Sequence, residues 1–162
     1  MIKQHKFSPI VDETKFQVAL GYIAHQSETL AKVALGRALA VDTLTIFAQS
    51  AKEHVFLDRV VRRYGPISSF SHGPTLYISS DFEIYGRRIK FLGLREPDIS
   101  RPWVGYGDYP VNDYNDICAA NYPDVYEITS GLGQHLLEIR RAEFDVLGYI
   151  VREEDHDDRR NQ

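Results

Sequence analysis

The chain holds one cysteine, one methionine and one tryptophan in 162 residues. A lone Cys118 has no partner for an intrachain disulfide and no second thiolate with which to build a zinc or iron–sulfur site. It stands beside Ile117 and Ala119 in a helical pattern, so it reads as a small core hydrophobe. Basic excess is also missing: 19 Lys and Arg face 23 Asp and Glu, for a net charge of −4. The positive residues are scattered rather than striped, which removes the footprint of a phosphate-backbone binder, and no nucleic-acid partner is expected. No apolar run approaches the roughly 18 residues of a spanning helix. The opening stretch MIKQHKFSPIVDE lacks the apolar region and small-residue cleavage site of a secretory signal. The expectation is a cytoplasmic protein with no membrane partner. Serine nucleophile elbows, phosphate-cradling glycine loops with lysine, dinucleotide fingerprints and zinc-protease helices are absent, and those enzyme classes lose their sequence support.

What is present is enough apolar residue, 43% of the chain, to bury one proper core. The expected fold is α+β, a single domain over residues 1–152. A leading helical segment over 13–39 carries Phe16, Leu20, Ile23, Ser27, Leu30 and Ala34 at spacings of four and three, as one helix or as a pair broken near Gly21 or Ser27. Such a stripe must be covered by a sheet or by another subunit, which leaves a homodimer open. A first βαβββ module occupies 41–95. Its strand VDTLTIFAQS places Asp42, Leu44 and Ile46 on one face and Thr43, Thr45 and Phe47 on the other. Ser50 and Glu53 form a capping box for a helix beginning at Ala51, closed by Gly65-Pro66. After a short extended piece, strands from Thr75 and Arg87 are joined at Tyr85-Gly86. A second module, 103–152, repeats the order: a strand from Trp103, a helix capped by Asn112 and closed by Pro123, then strands through DVYEITS, the GLG turn and QHLLEIRRAEFDVLGYIV. The tail 153–162, EEDHDDRRNQ, lacks an apolar face and reads as disordered, with His156 solvated.

Val104-Gly105-Tyr106-Gly107-Asp108 matches the core of a potassium-channel filter. That function requires flanking membrane helices. Here the glycines fit a bulge or a close backbone approach.

The element order resembles the vicinal oxygen chelate superfamily, the glyoxalase and dioxygenase fold, whose curved mixed sheets surround a cavity. More narrowly, residues from about 41 to 140 look like its YecM-like metal-binding branch. That pattern has an Asp-His pair opening the first strand, a Gly-Arg hairpin turn, an acid before an apolar residue and a proline, and a late His-apolar-Glu segment. Asp42 matches the opening Asp, Asp108 the acid before the proline, and His135 the late histidine. Thr43 stands where the branch has histidine and is a poor ligand for a divalent ion. The resemblance implies a site for a small-molecule ligand, one divalent metal ion held by Asp108 and His135, and metal-dependent chemistry on a small oxygenated substrate. The alternative is a non-catalytic binding module that kept the fold and lost the ligands, since one histidine and one carboxylate fall short of the usual three protein ligands.

Strand alternation sets His135, Leu137 and Ile139 on one face and Gln134, Leu136 and Glu138 on the other, so His135 and Glu138 cannot both line one cavity without a bulge. Other cavity candidates are Asp42, Thr43, His72, Tyr106 and Arg101. Each has a plainer reading. His72 can stabilise a turn, Asp108 can accept backbone N–H bonds at a bulge, and His135 can be an ordinary sheet histidine. Arg95, Glu96, Asp98 and Arg101, in LREPDISRP, read as a surface ion cluster, or as the source of an arginine that clamps a carboxylate or phosphate. Ten tyrosines, among them Tyr77, Tyr85, Tyr106, Tyr109, Tyr126 and Tyr149, suit cavity walls and interfaces alike.

Overall fold

The computed structural model describes residues 7–131 and 133–160, with side chains through His156. The elements run α1 (Glu13–Leu35), β1 (Thr43–Phe47), α2 (Ala51–Val61), a 3₁₀ turn (Arg62–Tyr64), β2 (Thr75–Ile84), β3 (Arg87–Arg95), β4 (Gly105–Val111), α3 (Tyr114–Ala120), β5 (Val125–Thr129), β6 (His135–Ile139), β7 (Val146–Arg152) and α4 (Glu153–Arg160). One curved, open seven-stranded sheet has the order β2-β3-β1-β4-β7-β6-β5. Two similar halves meet in its middle. β1 lies parallel to β3, β4 lies parallel to β7, and β1 pairs antiparallel with β4. The α+β class, the paired modules and the N-terminal helix stand as the sequence reads.

The first module is the less complete. Its expected first return strand survives as an isolated bridge between Ile67 and Ile78. The segment between Gly65-Pro66 and Gly73-Pro74 is rich in turn residues, and a serine side chain supplements the few backbone bonds it makes to β2. Ser71 Oγ accepts from the Tyr77 N–H at 2.9 Å and donates to the Tyr77 carbonyl at 3.1 Å. The segment therefore follows the β2 edge as a loop, and it carries Phe70 and His72 toward Tyr77.

Local chemistry sets the other boundaries. Asp12 caps α1 by accepting from the Lys15 N–H at 2.7 Å, and Gly36, at φ 72°, ends it in the left-handed region that glycine adopts freely. The helix is continuous through Gly21 and Ser27. Ser50 caps α2 as expected, yet Glu53 reaches past the capping-box position, accepting from the Gln49 N–H at 2.9 Å and the Ile10 N–H at 2.7 Å. The β2–β3 hairpin turns at Tyr85 and Gly86, both at positive φ. The cap of α3 is Asp113 rather than Asn112, and its carboxylate is drawn away to Arg37, 2.5 Å off. The GLG turn between β5 and β6 leaves Gly133 at φ 79°, and its Leu132 lies outside the described residues.

α1 crosses the convex face of the sheet. Ser27 lies against Gly107, Ile23 against Gly105, and Tyr109 donates its hydroxyl to the Ser27 carbonyl. Fully buried Leu20, Ile23 and Leu30 each contribute about 1.5–3 kcal/mol of apolar transfer to this contact. Behind them lies the main core, with Leu44, Ile46, Leu137, Ile139 and Ile150. Phe47, Tyr106, Leu147, Tyr149 and Val151 form a second cluster on the opposite, concave face.

The charged tail is a correction. Residues 153–160 form α4, and His156 is 2% exposed, packed edge-on to Phe91 with ring centroids 5.9 Å apart. Residues 161–162 lie outside the described part. Acids in the first turn of α4 complement the positive end of the helix dipole, which supports a helix without an apolar stripe. No helix among the described residues is long and apolar enough to cross a membrane.

Candidate functional site on the concave face

Register decides which side chains share the concave face. Thr43 pairs with Asp108 and Thr45 with Tyr106 across β1 and β4, while Asp108 pairs with Tyr149 on β7 and Tyr149 with Glu138 on β6. Paired residues point to the same side of a sheet, so one polar row runs Thr43, Asp108, Tyr149, Glu138. On the other flank, Tyr77 pairs with Gly93 and Gly93 with Thr45. Gly93 carries no side chain there, and a Cβ in its place would overlap Thr45 Oγ1 and stand 3.0 Å from Thr45 Cβ. Above this low floor the Tyr77 and Tyr106 hydroxyls meet in a hydrogen bond, although β3 and β1 lie between their strands. That contact shows how strongly the sheet bends. The bend also brings the two edges together: a Cβ on Gly131, after β5, would stand 3.2 Å from Cδ2 of His72, before β2.

Ring packing extends this pair into a larger aromatic cluster. The Tyr106 and Tyr149 rings pack edge to face with centroids 4.8 Å apart, and the Tyr149 hydroxyl donates to Glu138 Oε2 at 3.0 Å. Phe47 lies edge-on to Tyr106 at 5.6 Å, and His72 stacks near Tyr77 with centroids 6.2 Å apart. The His72 ring is steadied by its own loop, with Nδ1 3.0 Å from the Phe70 carbonyl oxygen. Burial, and then the Asp108 charge, raise the Tyr106 phenol; burial and Glu138 raise that of Tyr149. Both stay protonated at neutral pH, so they act as hydrogen-bonding hydroxyls rather than as phenolate bases.

At the end of β3 the guanidinium of Arg95 lies 5.7 Å from the centre of the Phe47 ring. Arg95 Nη2 is 3.5 Å from Asp98 Oδ2, and Arg101 Nε is 4.0 Å from the same oxygen. Arg95 thus borders the same Phe47 ring that packs edge-on to Tyr106. Beside them is a pocket of about 310 Å³ lined by Phe47, Gln49, Glu53, Pro97, Asp98 and Arg101, among others. A wider cleft of about 1020 Å³, lined by Tyr22, Trp103, Tyr126, Arg140, Arg141 and Asp145, among others, also reaches Gln49. The polar groups of this cleft are largely engaged with one another. The Tyr22 hydroxyl, pushed up to about 12 by burial and by Asp145, donates to Asp145, and Arg141 pairs with Asp124 at 2.6 Å.

Tyr106, Glu138, Arg101 and His72 therefore gather around one end of the concave face. Asp42 and Thr43 sit at the other end of β1, against α4. His156 Nε2 is 2.8 Å from Asp42 Oδ1 and 3.1 Å from Thr43 Oγ1. Both contacts use the same ring nitrogen, so this is not an Asp–His–hydroxyl relay, which needs one partner on each nitrogen. It fastens α4 to β1.

The expected metal pair does not assemble. Asp108 is 4% exposed on the concave face, whereas His135 is exposed and shares the opposite face with Leu137 and Ile139. The period of two that separated His135 from Glu138 in sequence resolves in favour of Glu138. Among the described residues no three His, Cys, Asp or Glu side chains stand close enough together to hold a metal ion. The donors among the described residues do not make up a three-ligand divalent site.

Sequence reasoning missed the partnership of Tyr77 with Tyr106, the packing of Arg95 on Phe47 and the place of His156. The first two depend on strand register, which no single segment encodes. The third had a signal in acids followed by arginines along EEDHDDRR, the charge order a helix dipole favours.

No family model matches the chain, and no curated protein does. A solved structure described as "Structural Genomics, Protein EC4020" is similar, with a TM-score of 0.60 over 94% of this chain and 95% of that one, at 12% identity. Likeness at that identity concerns the fold alone.

Proposed function

We propose that the protein binds a small oxygenated organic molecule at the concave face, and that it works as a binding module rather than as a metal enzyme. The observation that carries this reading is the cluster in which Tyr77 and Tyr106 share a hydrogen bond, the Tyr106 and Tyr149 rings pack together and Tyr149 donates to Glu138, with Phe47 standing between Tyr106 and a pocket of about 310 Å³. A pocket of a few hundred Å³ with aromatic walls and a few fixed polar groups is the usual form of a small-ligand site. Neutral phenols can donate to and accept from alcohol, carbonyl or carboxyl oxygens, and the buried setting strengthens each such bond. A place within the vicinal oxygen chelate superfamily is part of the same proposal, supported by the paired modules and the bent sheet. The binding-module alternative is preferred to metal-dependent chemistry because Thr43 replaces a ligand and His135 points away.

A thermal-shift screen of small alcohols, polyols, aldehydes and hydroxy and keto acids tests the reading. A ligand present at about a hundred times its Kd stabilises the native state by about 2.7 kcal/mol. Hits should raise the melting temperature of the wild type and lose most of that effect in Tyr149→Phe and Glu138→Gln. Hits that act equally on all three proteins would place binding elsewhere.

A further inference from the structure

The two arginines beside the tyrosine cluster carry more charge than their neighbourhood answers. Arg95 and Arg101 share one carboxylate oxygen, Asp98 Oδ2, at 3.5 and 4.0 Å, both beyond ordinary hydrogen-bond length. The other oxygen, Asp98 Oδ1, is occupied by Ser100, accepting from its N–H at 2.9 Å and its hydroxyl at 2.6 Å. Arg95 Nε is buried and has no hydrogen-bond partner. A guanidinium offers its donors as a planar fork, and the Phe47 ring beneath Arg95 helps to hold that plane. Two cations, one loosely placed acceptor atom and an unused buried donor describe a site built for a planar anion that makes shorter contacts than Asp98 does.

Resting on the concave-face reading above, we infer that Arg95 and Arg101 bind the carboxylate of the ligand, which is a small hydroxy or keto acid, and that Asp98 is an internal competitor standing where that carboxylate goes. The pocket of about 310 Å³ touches Phe47, Asp98 and Arg101, so a short acid fits within it. With its carboxylate at the arginines, the remainder of the acid reaches along Phe47, whose ring carries Arg95 and packs edge-on to Tyr106. The hydroxyl or keto oxygen would bond there. Asp98 sits on the loop between the two modules, next to Ile99, which is 86% exposed, so the loop can withdraw without disturbing the core.

The test is calorimetric titration with glycolate, lactate, pyruvate and malate, each beside its neutral amide, and with methyl phosphate. Wild type, Asp98→Asn and Arg101→Gln are compared. The expected result is that at least one acid binds about tenfold tighter than its amide, a gap that narrows in Arg101→Gln. Asp98→Asn should tighten the acid by a similar factor and leave the amide unchanged. Amides that bind as well as acids, with dependence on Tyr149, would overturn the carboxylate clamp while leaving the concave-face site in place. Tighter binding of methyl phosphate than of any acid would overturn the choice of carboxylate. Weaker acid binding in Asp98→Asn would overturn the competitor role. Absence of binding by every acid and every amide would overturn the clamp and count against the concave-face reading as well.

Discussion

Replacing Gly93 by alanine should strike the fold and the site together. Gly93 sits on β3 between Tyr77 and Thr45, on the floor beneath the Tyr77–Tyr106 hydroxyl contact. An added Cβ would overlap Thr45 Oγ1 and stand 3.0 Å from both Thr45 Cβ and Thr45 Cγ2. Thr45 is fully buried in the central strand β1, paired on both sides, and has no free direction in which to yield. Overpacking of this kind destabilises by about 1–3 kcal/mol. With a urea m-value of about 2 kcal/mol/M, the midpoint of unfolding should fall by roughly 0.5–1.5 M with m unchanged. Thr45→Ala removes the two side-chain atoms beyond Cβ that stand in the way. The double variant Gly93→Ala/Thr45→Ala should then recover at least about 1 kcal/mol relative to additivity. A midpoint for Gly93→Ala within error of the wild type, or strict additivity in the cycle, would refute the packing described for the concave face.

Two further predictions concern the ends of β1 and the buried phenols. Cutting the chain after Arg152, or replacing His156 by alanine, should cost about 1–3 kcal/mol in urea unfolding, because Asp42, 7% exposed, loses the shorter of its two hydrogen-bonding contacts and keeps only the Thr43 hydroxyl; no change would mean that α4 is not held to β1. Tyr106, Tyr109 and Tyr149 have folded-state pKa values raised above the ordinary value of 10.0, by burial first and by neighbouring carboxylates second. Below that pH both folded and unfolded states keep these protons. Above it the unfolded chain releases them while the folded chain retains them, so stability should fall as pH rises beyond 10.0. Ultraviolet tyrosinate absorbance followed together with circular dichroism should show these phenols ionising only as the chain unfolds, and their ionisation in a fully folded chain would contradict the burial described.

Much of the framework was legible because it is local. Ser50 and Glu53 announced α2, Tyr85-Gly86 the hairpin, and the spacing of Phe16, Leu20, Ile23 and Leu30 the long helix. Local signals failed where a tertiary partner intervened. Asp113 is drawn to Arg37, Glu53 is recruited by the Ile10 N–H, and beside the stretch after Pro66 the Tyr77 N–H goes to the Ser71 hydroxyl. The site was legible in part. Tyr106, Glu138, Arg101 and His72 were recognisable as polar or aromatic residues in a sheet or its loops, but their meeting depends on how β2, β1, β4, β7 and β6 are placed side by side. His135 shows the converse, since its place in the sequence fits the ligand pattern of the family the chain resembles while its strand turns it to the other face. His156, solvated by every compositional rule, is buried because Asp42 and Thr43 supply the polar partners that its helix lacks.

The central claim is that a ligand sits among the concave-face tyrosines, and the most direct measurement is an NMR titration of isotope-labelled tyrosine rings with a compound that raises the melting temperature. The account predicts that the resonances of Tyr77, Tyr106 and Tyr149 move together and saturate, while those of Tyr22 and Tyr85 stay in place. Movement confined to Tyr22 and Tyr126 would put the ligand in the wider cleft beside α1 and contradict it.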